Sequence, residues 1–351
     1  MRLLSTALCA LPFLAAATLV QAQPQEVIAD ESQSVPSFGI ISFYFENDLF
    51  GGKDQQYTNG ARISLLSPNL VKYGDDPNLG RLAGAFDDFR WIGAPGYERN
   101  VAFTIGQNMY TPNDTESVDL VEDDRPYAGW LYAGLGLVWK NEKVRNTFLV
   151  NVGVVGPWSY AEETQRLVHE ARGIEVPEGW GNQIDNELGI VLAYERMWRL
   201  RDAGNGWGWD VLPYAGASVG NVYTFAKVGA ELRLGYNLPD DFGTSAIGPS
   251  ATTSTPVEAP GRAKRWYNSF GTHLFARAEG RAVARDIFLD GNTFEDSHSV
   301  DKEPLVADLV AGVSVNYRNT KLTYAYIYRT KEFKGQEDEQ IFGSLTLTVN
   351  F

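Results

Sequence analysis

Among the three histidines of this 351-residue chain, His169 has polar company at regular intervals. Glu162, Gln165, His169 and Arg172 recur at spacings of three, four and three, which puts all four on one face of a helix. Gly173, Glu175, Gly179, Trp180 and Gln183 follow in a compact run. A second polar group lies far upstream, where the aromatic run Phe43-Tyr44-Phe45 meets Glu46-Asn47-Asp48, and Tyr57-Thr58-Asn59-Gly60 follows one loop later. These residue types suit a site that binds an ion or works on an ester. A solvated helix face and a charged hairpin tip are the plainer alternatives. His273 and His298 have no comparable surroundings and read as structural, and Asp286, Asp290 and Asn292 read as shaping a turn.

The elements that must position these residues are exported. Arg2 precedes an apolar run from Leu3 to Val20 that closes on Val20-Gln21-Ala22, the pattern of an export signal ending at Ala22. Residues 23–37 then form an N-terminal periplasmic segment, and 38–351 the folded domain. Cys9, the single cysteine, lies inside the signal, so neither disulfides nor a cysteine-ligated metal holds the mature chain. The net charge of −14 argues against nucleic acid as a partner, since a phosphate backbone demands a basic face. Beyond the signal, no stretch approaches the roughly 20 apolar residues of a membrane-spanning helix.

Strands take the place of helices. Leu345, Leu347, Val349 and Phe351 alternate with small or polar residues to the C-terminus, giving one apolar face. Similar segments recur at about 38–47, 57–67, 99–109, 127–140, 144–156, 184–198, 208–221, 224–237, 266–283, 304–317, 319–331 and 340–351. The even count predicts an all-β, closed, antiparallel up-and-down transmembrane β-barrel of about 12 strands. Hydrocarbon offers backbone groups no partners, so a spanning sheet must leave no edge. A soluble β-sandwich is the competing explanation for the alternation. Trp130, Tyr132, Trp139, Tyr194, Trp198, Tyr326 and Tyr328 are expected in aromatic girdles, and the aromatics of 43–50 on the membrane face or rim.

With both termini periplasmic, connections after odd-numbered strands face outward. Asp48 to Gln56, Tyr110 to Pro126 and Pro157 to Gln183 then all fall on the outer side. The third holds a short helix, opened by the capping box Ser159-Tyr160-Ala161-Glu162 and ended by Gly173. Connections 68–98 and 238–265 are longer than periplasmic turns usually are and mark extra structure at the inner rim. The second includes Thr252-Thr253-Ser254-Thr255-Pro256 and reads as a flexible insertion. Adjacent Asn47 and Asp48 would point to opposite faces of a regular strand, so if both act the strand ends or bulges there.

Glu46-Asn47-Asp48, Tyr57-Thr58-Asn59-Gly60, Asp124-Arg125-Pro126-Tyr127-Ala128-Gly129-Trp130, Gly156-Pro157 and the segment from His169 to Gln183 together resemble the lipid A 3′-O-deacylase family of Gram-negative outer-membrane proteins. The resemblance implies a barrel in the outer membrane. Its outward-facing site would remove the 3′ ester-linked acyl or acyloxyacyl group from lipid A, the lipopolysaccharide anchor in the outer leaflet, with a divalent cation, usually Ca2+. By motif, His169 is similar to the family's catalytic histidine, Asn47 and Asp48 to its N-D pair, Thr58 to its hydroxyl residue and Glu175 to its acidic residue. The imidazole suits a base that activates water. Asp48, Thr58 and Glu175 are hard oxygen donors of the kind calcium prefers, and Asn47 could hydrogen-bond the same oxyanion. Arg125 is placed either on a lipid A phosphate or in an ion pair at the rim. A serine hydrolase is disfavoured, since no Ser stands in a motif with His169. Two other functions compete: a non-catalytic structural or small-solute transport barrel, and an outer-membrane phospholipase.

Overall fold

The computed structural model describes residues 38–48, 56–89, 92, 96–201, 206–244, 255–256 and 270–351. The expected signal, the 23–37 segment and most of the Thr-rich insertion lie outside the described residues. Twelve antiparallel strands close into a barrel in which each pairs with its sequence neighbours and β1 pairs with β12. They are β1 (Ile40–Asn47), β2 (Gln56–Leu66), β3 (Glu98–Thr111), β4 (Ala128–Lys140), β5 (Val144–Val155), β6 (Glu187–Trp198), β7 (Trp207–Gly220), β8 (Tyr223–Tyr236), β9 (Gly271–Asp286), β10 (Leu305–Tyr317), β11 (Thr320–Arg329) and β12 (Gln340–Asn350). Helices are short: α1 (Gly80–Ala83), α2 (Ala161–Arg172) and α3 (Ile287–Asp290). Among the described residues, no helix is long and apolar enough to cross a membrane.

Period-two alternation decides which side chains meet lipid. Leu188, Ile190, Leu192 and Tyr194 on β6, Val228, Leu232, Leu234 and Tyr236 on β8, and Leu305, Leu309, Val313, Val315 and Tyr317 on β10 are exposed. The intervening residues fill the lumen, where polarity is tolerated because buried charges are paired. Arg233 bonds Asp210 and Asp241, and Lys321 bonds Asp241 at 2.7 Å. Glu195 holds Arg145 at 2.7 Å and Lys227 at 2.8 Å. Asp308 holds Arg281 at 2.9 Å and Arg329 at 2.8 Å.

Alternation also reassigns three aromatics expected on the membrane side. Tyr44 points into the lumen, its ring 3.9 Å from the Arg62 guanidinium carbon. Trp130 and Tyr132 are buried there too, stacked at 4.2 Å, because alternation turns the even-numbered residues of β4 inward. Tyr194 and Tyr326 are exposed on the outside, as a girdle requires.

The two long inner connections carry structure of their own. In the first, Leu70, Tyr73, Ala83 and Phe86 pack on Val101, Leu135, Leu137 and Phe148, on the outer wall at its inner end. In the second, Asp241 and Phe242 are buried, and Phe242 joins Met197, Leu212 and Tyr214 inside the barrel.

Candidate functional site on the outer wall

The β1–β2, β3–β4 and β5–β6 connections leave the barrel at one end, as expected. β1 stops at Asn47, and β2 slips register between Tyr57 and Asn59. Thr58 is therefore the extra residue of a bulge in β2, and β1 ends between Asn47 and Asp48, as their adjacency requires if both act. Asp48 is buried, at 1% exposure, directly after the strand. Residues 49–55 and the Thr58 side chain lie outside the description.

A register row crosses this end of the sheet. Asn47 pairs with Asn59, Asn59 with Met109, and Met109 with Gly129, three strand spacings of about 4.8 Å each. Paired residues share a face, and by alternation with Glu46, Asn108 and Trp130 this face is the outer wall. The chain leaving β5 folds down onto it. Gly156 makes the reversal at φ 86, and a side chain there would strike the main chain of Ile184 and Asp185. Pro157 to Ser159 form a tight turn, and Gln107 Nε2 donates to the Ser159 carbonyl at 2.6 Å. A Cβ on Gly129 would overlap Ser159 Oγ and Ala161 Cβ, so the bare strand surface is the seat of α2.

The start of α2 differs from the capping box expected. Its N-cap is Tyr160, left-handed at φ 56, with no side-chain cap. Ser159 is consumed by the turn, and Glu162 pairs instead with Arg166 at 3.4 Å. Gly173 ends the helix at φ 65 as expected. The buried face is Ala161, Gln165 and His169, with Glu162 outside it.

His169 is 6% exposed, and its Nδ1 lies 2.5 Å from the main-chain oxygen of Glu175. A carbonyl can only accept, so Nδ1 is the donor, and the tautomer this selects carries its lone pair on Nε2. The Glu175 side chain is exposed, so this residue contributes its backbone to the geometry. Trp180 Nε1 donates to Gln165 Oε1 at 2.7 Å, while the Gln165 Nε2 donor, buried one turn from His169, has no hydrogen-bond partner among the described residues. The periodicity placed Gln165 on this face; only the structure identifies its spare donor.

The Asp124–Trp130 motif and the segment from His169 to Gln183 touch one another. Tyr127 packs on Trp180 at 5.0 Å between ring centres and leaves room only for a glycine at 179. Glu178 N donates to Thr115 O at 2.9 Å and Asn182 Nδ2 to Val118 O at 2.8 Å, so the acidic β3–β4 loop braces the His169 segment. Arg125 is not brought to this wall. It is buried beside Tyr110 and 3.4 Å from Glu332, in an ion pair. His298 Nε2 lies 2.7 Å from Asp124 O, and Asn292 Nδ2 donates to Asp185 O at 2.8 Å. Asp286 caps Phe288 N at 3.0 Å, so the structural readings of these residues describe them.

Among the described residues, no group of three or more His, Cys, Asp or Glu could hold a metal. Described oxygen donors at the rim include the buried Asp48 and its neighbours Asn47 and Asn59. They fit part of a calcium shell that water or substrate oxygens would complete.

Residues 5–351 match the family described as outer membrane protein LpxR. The chain belongs to that family. Its location is the outer membrane. No curated protein matches. Among solved structures, the fold is similar to LpxR from Salmonella typhimurium, at 18% identity and a TM-score of 0.70 over 89% of this chain and 100% of that one. The β-domain of the Bordetella autotransporter BrkA is 11% identical, with a TM-score of 0.42 over 90% of this chain and 99% of that one. The first likeness establishes the twelve-stranded fold independently of the sequence pattern.

Proposed function

We propose that this barrel is a hydrolase that removes the 3′ ester-linked acyl or acyloxyacyl group from lipid A in the leaflet around it. The observation carrying the reading is the braced imidazole: with Nδ1–H held by the Glu175 carbonyl, Nε2 is left as the base. Family membership supplies the substrate class. In the proposed reaction, Nε2 takes a proton from water as its oxygen attacks the ester carbonyl. The resulting imidazolium then returns the proton to the departing sugar oxygen, releasing a fatty acid and a free hydroxyl. Asn47 and the spare Gln165 amide are the candidate donors to the oxyanion. A divalent cation held through Asp48, with Thr58 and Glu175 completing the proposed ligand set, would supply Lewis-acid stabilisation when bound.

Transport is the weaker reading, because the lumen is braced by Arg233, Glu195 and Asp308 with their partners. The test is mass spectrometry of lipid A from cells with and without the protein, and with His169→Ala. Loss of the 3′ acyl group only with the intact protein is expected, the variant falling by about 10²–10⁴-fold. Unchanged lipid A alongside cleaved glycerophospholipid would replace this reading with the phospholipase. Full activity of the variant would remove His169 from the chemistry.

A further inference from the structure

The outward side of α2 is as ordered as its buried face. At about 100° per residue, the helix divides lengthwise into three strips. Ala161, Gln165 and His169 face the barrel. Glu162, Glu163, Arg166 and Glu170 occupy one flank, and Thr164, Leu167, Val168 and Ala171 the other. Leu167 is 67% exposed and Val168 44%, with Trp158 at 65% and Tyr160 at 61% just before the helix. Thr164 does not spoil the apolar flank, because its hydroxyl donates to the Tyr160 carbonyl at 2.8 Å.

Four large apolar side chains left open on one short segment need a covering. The neighbouring surface says which. Trp158 N is tied at 2.7 Å to the Asn186 side chain, two residues before Leu188, which opens the exposed apolar row of β6. Gln107, four residues inside the outer end of β3, holds Ser159. The helix therefore begins against the wall, below the rim, beside the exposed apolar row of β6. Separation of charge from apolar bulk on opposite flanks is the pattern of a helix lying in a membrane interface, and tryptophan and tyrosine beside it suit the same zone.

We propose that α2 is seated in the outer leaflet, with Trp158, Tyr160, Leu167 and Val168 immersed among acyl chains and the Glu162–Glu170 flank in the headgroup layer. His169 is then held at the depth where chains join headgroups. The relevance of that depth to an ester rests on the hydrolase reading above; the seat itself does not.

The experiment is spin labelling of the full chain with Cys9 replaced by Ser, in vesicles of phosphatidylcholine and lipopolysaccharide. Labels are placed singly by Leu167→Cys, Val168→Cys, Glu163→Cys and, on the barrel wall, Leu232→Cys. Collisions with oxygen should outweigh those with a water-soluble nickel chelate at 167, 168 and 232, and the order should reverse at 163. A label at 167 that collides like the one at 163 overturns the seat. Should labelling disturb the helix, Trp158→Phe in otherwise native protein gives a second readout. Lipids brominated high on the acyl chain should quench less total fluorescence once Trp158 is gone, and unchanged quenching overturns the proposal. An active enzyme with an aqueous 167 label leaves the hydrolase standing without the seat, and a lipid-facing label on an inactive protein does the converse.

Discussion

Glu175 offers two groups to the site, and they are separable. Its carbonyl orients His169, whereas its exposed carboxylate is free to serve a cation. Glu175→Gln keeps the main chain and removes only the charge. The variant is expected to keep the barrel intact and to need about tenfold or more calcium for half-maximal deacylation, measured by titrating the metal back after EDTA. An unchanged titration would leave the residue a purely main-chain role. Trp180 acts through another side chain. Trp180→Phe preserves the packing on Tyr127 but strips Gln165 Oε1 of its donor, leaving a buried acceptor unmatched at a cost of about 1–3 kcal/mol. Turnover should fall while heat-modifiable migration on gels, the signature of a folded barrel, is unaltered.

At the scale of elements, the seat of α2 depends on the missing side chain of Gly129. Gly129→Val places two methyls where Ser159 and Ala161 now lie. The barrel should tolerate the exchange, and the helix should lift from the wall. The expected result is faster proteolysis between residues 157 and 173, together with loss of activity. Resistance equal to that of the native chain would sink the idea. This helix also shows what the sequence can and cannot reveal. Its existence and its Gly173 stop were legible because they are local. Its first turn was not: Gly156 reverses the chain so sharply that Ser159 is used before it can cap. The strands were legible for the same reason of locality, since burial alternates with period two. Trp130 and Tyr132 were misassigned because composition says how bulky a residue is, not on which side of the sheet the lumen lies. The motifs DRPYAG and GP could be recognised as letters. Only the fold shows Gly129 as a floor, Tyr127 as a clamp on Trp180, and Arg125 as a lumen cation.

On the scale of the whole molecule, stability rests on charge inside and apolar surface outside. Asp241 enters the lumen from the inner connection. Burial alone would raise its pKa, but Lys321 and Arg233 outweigh that and hold it below the usual carboxylate range. Its stabilising contribution is therefore complete above the unfolded carboxylate value of about 3.9 and is lost only as pH falls through the lower folded value. Thermal unfolding of the barrel in detergent should accordingly show no loss of this contribution between pH 7 and pH 5. Asp241→Asn removes one partner of a buried cluster, at a cost of about 3–5 kcal/mol, and its melting midpoint should be lower throughout that range. Equal midpoints for the two proteins would show that the inner segment contributes little.

The position of His169 on the outer wall, away from the filled lumen, fixes how a lipid can reach it. On the proposed hydrolase function, traffic through a pore plays no part, and the substrate drifts sideways within its own leaflet until it meets α2. Encounter then becomes a two-dimensional search governed by the mole fraction of lipid A in the surface. Adding inert detergent at constant total lipid A should slow turnover, although the bulk concentration has not changed.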